Sequence, residues 1–192
     1  METLIGIAIG IGLSAACGFR VFVPLLVMNL MFQSGHLDLS PGFSWIGSHY
    51  ATVAFATATI LEILGYYIPW VDHVLDMVAT PAAVIAGTIA TASMADTSPF
   101  LKWTLALIAG GGIAGLIQGT TSALRVKSSL FTVGSGNFVF STLETAGSIV
   151  TALLAILAPL LCLAFLTVLC VLAISKAGRF LVRKMNFKKQ NA

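Results

Sequence analysis

The chain has 192 residues, of which 58% are hydrophobic and only 9% are charged, and its formal net charge is +3. Soluble domains carry about 25% charged residues, so this composition excludes a water-exposed globular protein. Apolar runs long enough to cross a bilayer, about 20 residues each, recur along the chain. The composition therefore predicts a polytopic all-α membrane protein without a separate soluble domain.

Apolar runs separated by Pro, Gly and polar stretches predict about six transmembrane helices. They cover residues 3–19, 50–68, 74–94, 103–124, 137–157 and 159–174. The first run continues over residues 21–32, and Pro24 marks this continuation as a separate piece, which is broken or re-entrant. Pro81 lies inside the third helix as a kink or a late N-terminus. Only residues 158–159 separate the last two helices, so one long kinked helix is the alternative there.

The distribution of Lys and Arg predicts the orientation of the chain in the membrane. Six of the ten basic residues lie in the segment 176–192, and two more lie in RVKSSL, which begins at Arg125. With six spans these eight residues fall on one side, Lys102 falls on the other, and Arg20 is within the membrane. Because cytoplasmic loops are enriched in Lys and Arg, we expect a multi-pass protein with both termini in the cytoplasm.

Two glycine-rich stretches of the chain are similar in sequence. GIAIGIGLSAACGFRV begins at Gly6 and ends with the Arg-Val pair at Arg20, and GGIAGLIQGTTSALRV begins at Gly111 and ends with the pair at Arg125. Membrane helices share a small vocabulary of residues, so chance similarity is one explanation. We favour the other explanation, an internal repeat.

An internal repeat divides the chain into two three-helix units, residues 1–95 and 96–175. Since each unit has an odd number of spans, the second is inserted in the opposite sense to the first, as in many transporters and channels. We therefore predict a 3+3 inverted-topology repeat, in which Arg20 ends the first helix within the membrane. One observation disagrees: Glu62 and Glu144 are both predicted nearer the cytoplasmic side, whereas inverted copies lie at mirrored depths.

Charged residues within or beside the apolar runs are the candidate substrate- or ion-binding residues. A charge in hydrocarbon faces the bundle interior, where it pairs with an opposite charge or lines a water-filled path. One interpretation is a solute site in which Arg20 binds an anion or holds a carboxylate. The other is a structural Arg–Glu clasp that ties the two halves together. The buried candidates are Arg20, Glu62 and Glu144, and those expected near the surface are Asp72, Asp76 and Arg125.

Asp72 and Asp76 share one helical face because they are four residues apart. A cation site built on these two carboxylates needs more oxygen ligands than the surrounding sequence offers. We favour an interfacial helix start, with acidic groups near the helix N-terminus and Tyr66, Tyr67 and Trp70 at headgroup level. The spacing of Cys and His predicts no metal site, and no nucleophile–base pair or haem motif predicts an enzyme or a cofactor.

Five glycines recur at near four-residue spacing and so line helix faces where backbones approach closely. Helix packing, within one chain or between two chains, is the favoured interpretation, and pore lining is the alternative. These glycines are Gly6, Gly10, Gly111, Gly115 and Gly119.

Three stretches, GFRVFVPLL, IPWVDHVLD and GNFVFSTLE, resemble a family of small bacterial membrane proteins that is catalogued as a domain of unknown function. The resemblance covers most of the chain and implies a location in the bacterial cytoplasmic membrane, with no established activity. Two positions depart from the family pattern: Thr145, where an acidic residue often stands, and Thr80, where a basic residue often stands. The positions that match the pattern are Arg20, Pro24, Pro69, Asp72, Asn137 and Glu144.

The sequence predicts a small transporter or channel for a small anion or polar solute. Arg20 would neutralise the solute, and Glu62 and Glu144 would be counter-charges or proton carriers. The alternative is a non-transporting scaffold or accessory subunit of a larger membrane complex, and the third hypothesis is a lipid-handling protein. The expected partner is the lipid bilayer. The sequence does not decide whether the chain forms a homo-oligomer or joins a larger membrane complex, and it does not indicate a nucleic-acid partner.

Overall fold

A computed structural model gives the fold of this protein. It describes residues 2–132, 137–169 and 171. Burial is described for all of these except residues 2, 69–70, 72–73, 126–132 and 137–138. The basic tail predicted at 176–192 lies outside the described residues.

The regular secondary structure of the described residues is helical, which confirms the predicted all-α class. The helices are α1 (Glu2–Cys17), α2 (Phe22–Gln33), α3 (His49–Gly65), α4 (Pro69–Met94), α5 (Pro99–Leu105), α6 (Gly112–Thr132), α7 (Asn137–Leu157) and α8 (Pro159–Leu169). A short 3₁₀ turn, Ser44–Gly47, precedes α3, and a π-helical segment, Ala106–Gly111, joins α5 to α6. Helix α4 starts earlier than predicted because a proline is favoured in the first helical turn, and Pro81 lies inside it.

Three stretches among the described residues are long and apolar enough to cross a membrane: Val74–Met94, Pro99–Arg125 and Val139–Leu157. Helices α1, α2 and α8 are apolar but shorter. The interior is built from small residues such as Ala83, Ala90 and Ala114, while many Leu, Ile and Val side chains lie exposed on the outside. An apolar outer surface over a core of small residues is typical of helices packed in lipid, and it supports the membrane class.

Helices α1 and α6 run in the same direction, because both are antiparallel to α4. Along α1 the contacts with α4 are Gly6 with Met94, Gly10 with Thr91 and Ser14 with Gly87. Along the π segment and α6 they are Gly111 with Val84 and Arg125 with Asp76. An inverted repeat requires opposite directions for these two helices, so that prediction does not hold for them. Their sequence similarity reflects a shared need for small residues where each packs on α4.

Two helices approach closely at Gly18, where the first apolar run breaks. A side chain at Gly18 would meet the Ala114 carbonyl oxygen at 2.8 Å and the Ile117 side chain at 2.6 Å. The chain turns after Cys17, and α2 begins at Phe22, with Pro24 in its first turn, where a missing N–H is tolerated. The predicted piece after Arg20 is therefore a separate helix that returns along α3.

The alternating helices give the bundle two ends. The charged end contains the turn at residues 18–21, the end of α3 and the start of α7; the loop end contains residues 34–48 and 95–98. Thr3 lies at the loop end, where it lines a cavity of about 550 Å³ with His36, Asp38 and Asp96. The predicted topology placed the N-terminus and the loop around His36 on opposite sides. They share one end because α2 runs back along the length of α3.

Candidate functional site

Arg20 lies fully buried in the turn between α1 and α2. Its Nη2 donates to the carbonyl oxygen of Ser141 at 2.9 Å and to the Ser141 hydroxyl at 2.5 Å. Its Nε donates to the Thr145 hydroxyl at 3.2 Å. These bonds tie the turn between α1 and α2 to the beginning of α7, so Arg20 belongs to the interior of the bundle.

Glu144 is shared by two guanidinium groups. Its Oε2 accepts a hydrogen bond from Nη2 of Arg125 and lies 3.8 Å from Nη2 of Arg20. Nη1 of Arg125 donates to Oδ1 of Asp76 at 2.8 Å. Arg125, which was expected near the membrane surface, is the last residue of the candidate span Pro99–Arg125. Only 2% of it is exposed, because α6 carries it into contact with α4 and α7.

Tyr66, at the end of α3, contacts both arginines. The guanidinium carbon of Arg20 is 4.1 Å from the centre of its ring, and that of Arg125 is 4.2 Å from it. The negative face of an aromatic ring attracts cations. Tyr66 and Glu144 therefore each interact with both guanidinium groups and offset the repulsion between them.

Glu62 does not form a direct ion pair in the described structure but caps a helix. Its two carboxylate oxygens accept the backbone N–H groups of Val21 at 2.8 Å and Phe22 at 3.1 Å. These N–H groups begin α2 and have no partner within that helix. A carboxylate there is stabilised by the positive end of the helix dipole. The role of Glu62 is to hold the break after Arg20 in place.

The structure thus brings five of the six predicted charged candidates together, and we call this set, with Tyr66, the arginine cluster: Arg20, Glu62, Tyr66, Asp76, Arg125 and Glu144. The sixth candidate, Asp72, lies on α4, but its side chain is outside the described part of the chain. The cluster lies close to the ends of the candidate spans, since Asp76 is near the start of Val74–Met94 and Arg125 ends Pro99–Arg125.

Buried atoms of the cluster that have no hydrogen-bond partner among the described residues include Nη1 of Arg20 and Oε1 of Glu144. Buried polar groups are nearly always hydrogen-bonded, to protein or to water. Nη2 of Arg20 and Oε2 of Glu144 are 3.8 Å apart, so the unpartnered donor and the unpartnered acceptor belong to neighbouring side chains.

The family model described as a domain of unknown function (DUF4126) matches residues 7–179. The chain belongs to this family. No curated protein and no solved structure matches it. The resemblance found in the sequence is thereby confirmed, and the DUF4126 match covers every residue of the arginine cluster.

Sequence reasoning missed three residues that contact Arg20 in this DUF4126 protein: Tyr66, Ser141 and Thr145. Tyr66 was assigned to the headgroup level, but it is 4% exposed and lies against the arginines. Thr145, noted as a departure from the family pattern, accepts the Nε hydrogen bond of Arg20. Ser141 is one helical turn before Thr145 on the same face of α7, and that spacing was the signal in the sequence.

Four of the five predicted packing glycines lie against a neighbouring helix. Gly6 and Gly10 lie against Met94 and Thr91, and Gly111 and Gly115 lie against α4. The fifth, Gly119, has no described atom within 4 Å of the position that a Cβ would take. Gly119 therefore lies on the outer face of α6. Among the described residues, no group of three His, Cys, Asp or Glu side chains could hold a metal ion.

Proposed function

We propose that this DUF4126 protein is a small membrane transporter or channel for a small anion or polar solute, and that the arginine cluster is its binding site. The observation that carries this proposal is the pair of open atoms, Nη1 of Arg20 and Oε1 of Glu144, within a buried charged cluster. Charges inside a membrane protein are costly and commonly mark substrate or ion pathways.

A purely structural clasp is expected to satisfy its own polar atoms. An unpaired buried donor or acceptor costs about 1–3 kcal/mol, and more when the group is charged. Arg20 and Glu144 each carry one such atom, although each makes other interactions. A bound water molecule or solute removes this cost, and exchange between water and solute is what a transport site requires.

The proposed orientation places the charged end in the cytoplasm. Arg125 and Lys127 lie at the end of α6, whereas Lys102 is at the loop end, where it donates to Ser40. The positive-inside rule then favours a cytoplasmic charged end. Because Thr3 lies at the loop end, the N-terminal residues are on the outside in this proposal. This revises the sequence prediction that both termini are cytoplasmic.

A second candidate function is a non-transporting scaffold or accessory subunit. The observation that favours it is the mutual pairing of Arg125 with Asp76 and Glu144, which ties α4, α6 and α7 together. Buried ion pairs can specify a fold without contributing much to its stability. A scaffold needs the cluster to be rigid and has no use for exchange of a bound molecule.

The experiment that separates the two is reconstitution of the purified protein in liposomes, with flux measured for a panel of small anions and polar solutes. The variant Arg20→Gln is assayed for folded yield and for flux separately. Transport predicts flux in the unmodified protein that is lost in the Arg20→Gln protein that does fold, whereas a scaffold predicts no flux in the unmodified protein. The control is Lys102→Gln, a basic residue at the loop end, which should change neither.

A further inference from the structure

We infer that the solute bound by the arginine cluster is a small uncharged molecule that both donates and accepts hydrogen bonds, of the alcohol or amide class. This inference rests on the proposed transport function and narrows its substrate class. The feature that carries it is that two neighbouring buried side chains each have one atom without a partner among the described residues: a donor, Nη1 of Arg20, and an acceptor, Oε1 of Glu144.

A free anion fits this pair poorly. It would accept a hydrogen bond from Nη1 of Arg20, but it would also lie close to the carboxylate of Glu144, since the two side chains approach to 3.8 Å. Glu144 is 5% exposed, so little water screens the repulsion. Oε1 would still lack a donor. A hydroxyl or amide group satisfies both atoms, because it accepts from the guanidinium and donates to the carboxylate.

Both guanidinium groups of the cluster already interact with carboxylates of the protein. Arg125 donates to two carboxylates, those of Asp76 and Glu144. Arg20 donates to the carbonyl oxygen and hydroxyl of Ser141 and to the hydroxyl of Thr145, and its charge faces Glu144. A site selective for anions needs a guanidinium group that is remote from carboxylates. No guanidinium group in the described cluster meets this condition.

Neutral hydroxyl groups lie on the helices that carry the pair and its neighbour Glu62. Thr145 accepts from Arg20 and donates to the Ser141 carbonyl oxygen at 2.9 Å. Ser148, one turn further along the same face of α7, donates to the Ala16 carbonyl oxygen at 3.0 Å. Thr59 lies about one turn before Glu62, and its buried hydroxyl has no partner among the described residues. Hydroxyl groups of this kind match the hydrogen bonds of an uncharged polar solute.

The test compares uncharged solutes with anions in the same proteoliposomes. Stopped-flow light scattering measures the entry of glycerol and urea, and an enclosed fluorescent indicator measures chloride and formate. We expect entry of glycerol or urea at least fivefold above empty liposomes, with chloride and formate at the empty-liposome rate. Entry of chloride or formate as fast as urea overturns this inference and leaves the transport proposal standing. Flux of none of the four solutes overturns the transport proposal itself.

The variant Glu144→Gln tests the role assigned to the carboxylate. It keeps an acceptor of similar shape and removes the negative charge, so we expect chloride or formate entry to rise at least threefold. Asp96→Asn is the matched control, because it removes an exposed carboxylate at the loop end. Unchanged anion entry in a folded Glu144→Gln protein contradicts the repulsion argument. If this variant does not fold, the solute comparison in the unmodified protein still decides the inference.

Discussion

The carboxylate of Glu62 on α3 accepts the backbone N–H of Val21 at 2.8 Å, at the first turn of α2. The two residues are 41 positions apart, so a contact between distant segments stabilises the break in the first apolar run. Arg20 directly precedes this helix start. Glu62 thus fixes the position from which Arg20 reaches α7.

Replacement of Glu62 should therefore destabilise the protein through the start of α2. Glu62→Ala removes the acceptor of two buried N–H groups, and hydrogen bonds to a charged group contribute about 1.5–3 kcal/mol each. We expect a loss of about 2–3 kcal/mol in the free energy of unfolding, measured by steric trapping in bicelles. Glu62→Gln, which keeps one acceptor oxygen, should lose less. Leu64→Ala, an exposed position on the same helix, is the control; an equal loss there would argue against the capping role.

Removal of Arg125 should be costly because two carboxylates lose a guanidinium partner. Breaking one side of a buried ion pair costs about 3–5 kcal/mol, and we expect Arg125→Met to fall in that range. Adding Glu144→Gln should recover at least 1 kcal/mol, since it removes one of the two buried charges left behind. Thermal unfolding of the single and double variants in detergent gives this comparison. Strictly additive effects would show that Arg125 and Glu144 are not coupled.

The elements of this fold were predictable where a local rule decides them. Pro24 marked the piece that forms α2, because a missing N–H is tolerated only in the first helical turn. The same rule gives Pro69 as the start of α4, which was predicted only from residue 74. The charged candidates were also recognisable, because an arginine inside an apolar run has to face the interior. The pairing of Asp76 with Arg125 was not predicted, however, because a single sequence does not show which helices meet.

The choice of partners in the cluster depends on three-dimensional packing. Glu62 was expected to be a counter-charge, but it caps a helix, because the turn after Arg20 brings backbone N–H groups against α3. The direction of α6 relative to α1 could also not be predicted from the sequence. Similar glycine-rich stretches pack on α4 whether they are repeats or not, so their similarity carried no information on direction.

Gly18 and Gly119 should respond in opposite ways to a methyl group. At Gly18 a Cβ would lie 2.8 Å from the Ala114 carbonyl oxygen, so Gly18→Ala has to separate α1 from α6. Overpacking of this kind costs about 1–3 kcal/mol. Gly119→Ala meets no described atom, and alanine favours a helix over glycine by up to about 1 kcal/mol. The midpoint of thermal unfolding should fall for the first and stay or rise for the second; a fall at Gly119 would show that this face is packed.

Asn29 should hold the loop end together. Its buried side chain donates to the carbonyl oxygens of Ile46 at 2.6 Å and Ser48 at 3.1 Å, and it accepts from Thr52 at 2.8 Å. Asn29→Ala leaves these groups unsatisfied, with an expected cost of about 1–3 kcal/mol. Hydrogen exchange of residues 44–48 should accelerate at least tenfold, whereas Ser34→Ala, at an exposed hydroxyl, should leave it unchanged. Equal protection in both variants would contradict this role for Asn29.

The direction of the chain gives a labelling pattern that tests the proposed orientation. In a background without the native cysteines, we introduce cysteine in place of Thr3, Asp96 or Ile68, which are all exposed. Thr3 and Asp96 lie at the loop end, and Ile68 lies at the charged end, between α3 and α4. Because the positive-inside rule places the charged end in the cytoplasm, a membrane-impermeant maleimide should label the first two positions in intact cells, and the third only after lysis. The reverse pattern would place the arginine cluster on the outer side. Labelling of Asp96 without Thr3 would restore the predicted cytoplasmic N-terminus and contradict the return of α2 along α3.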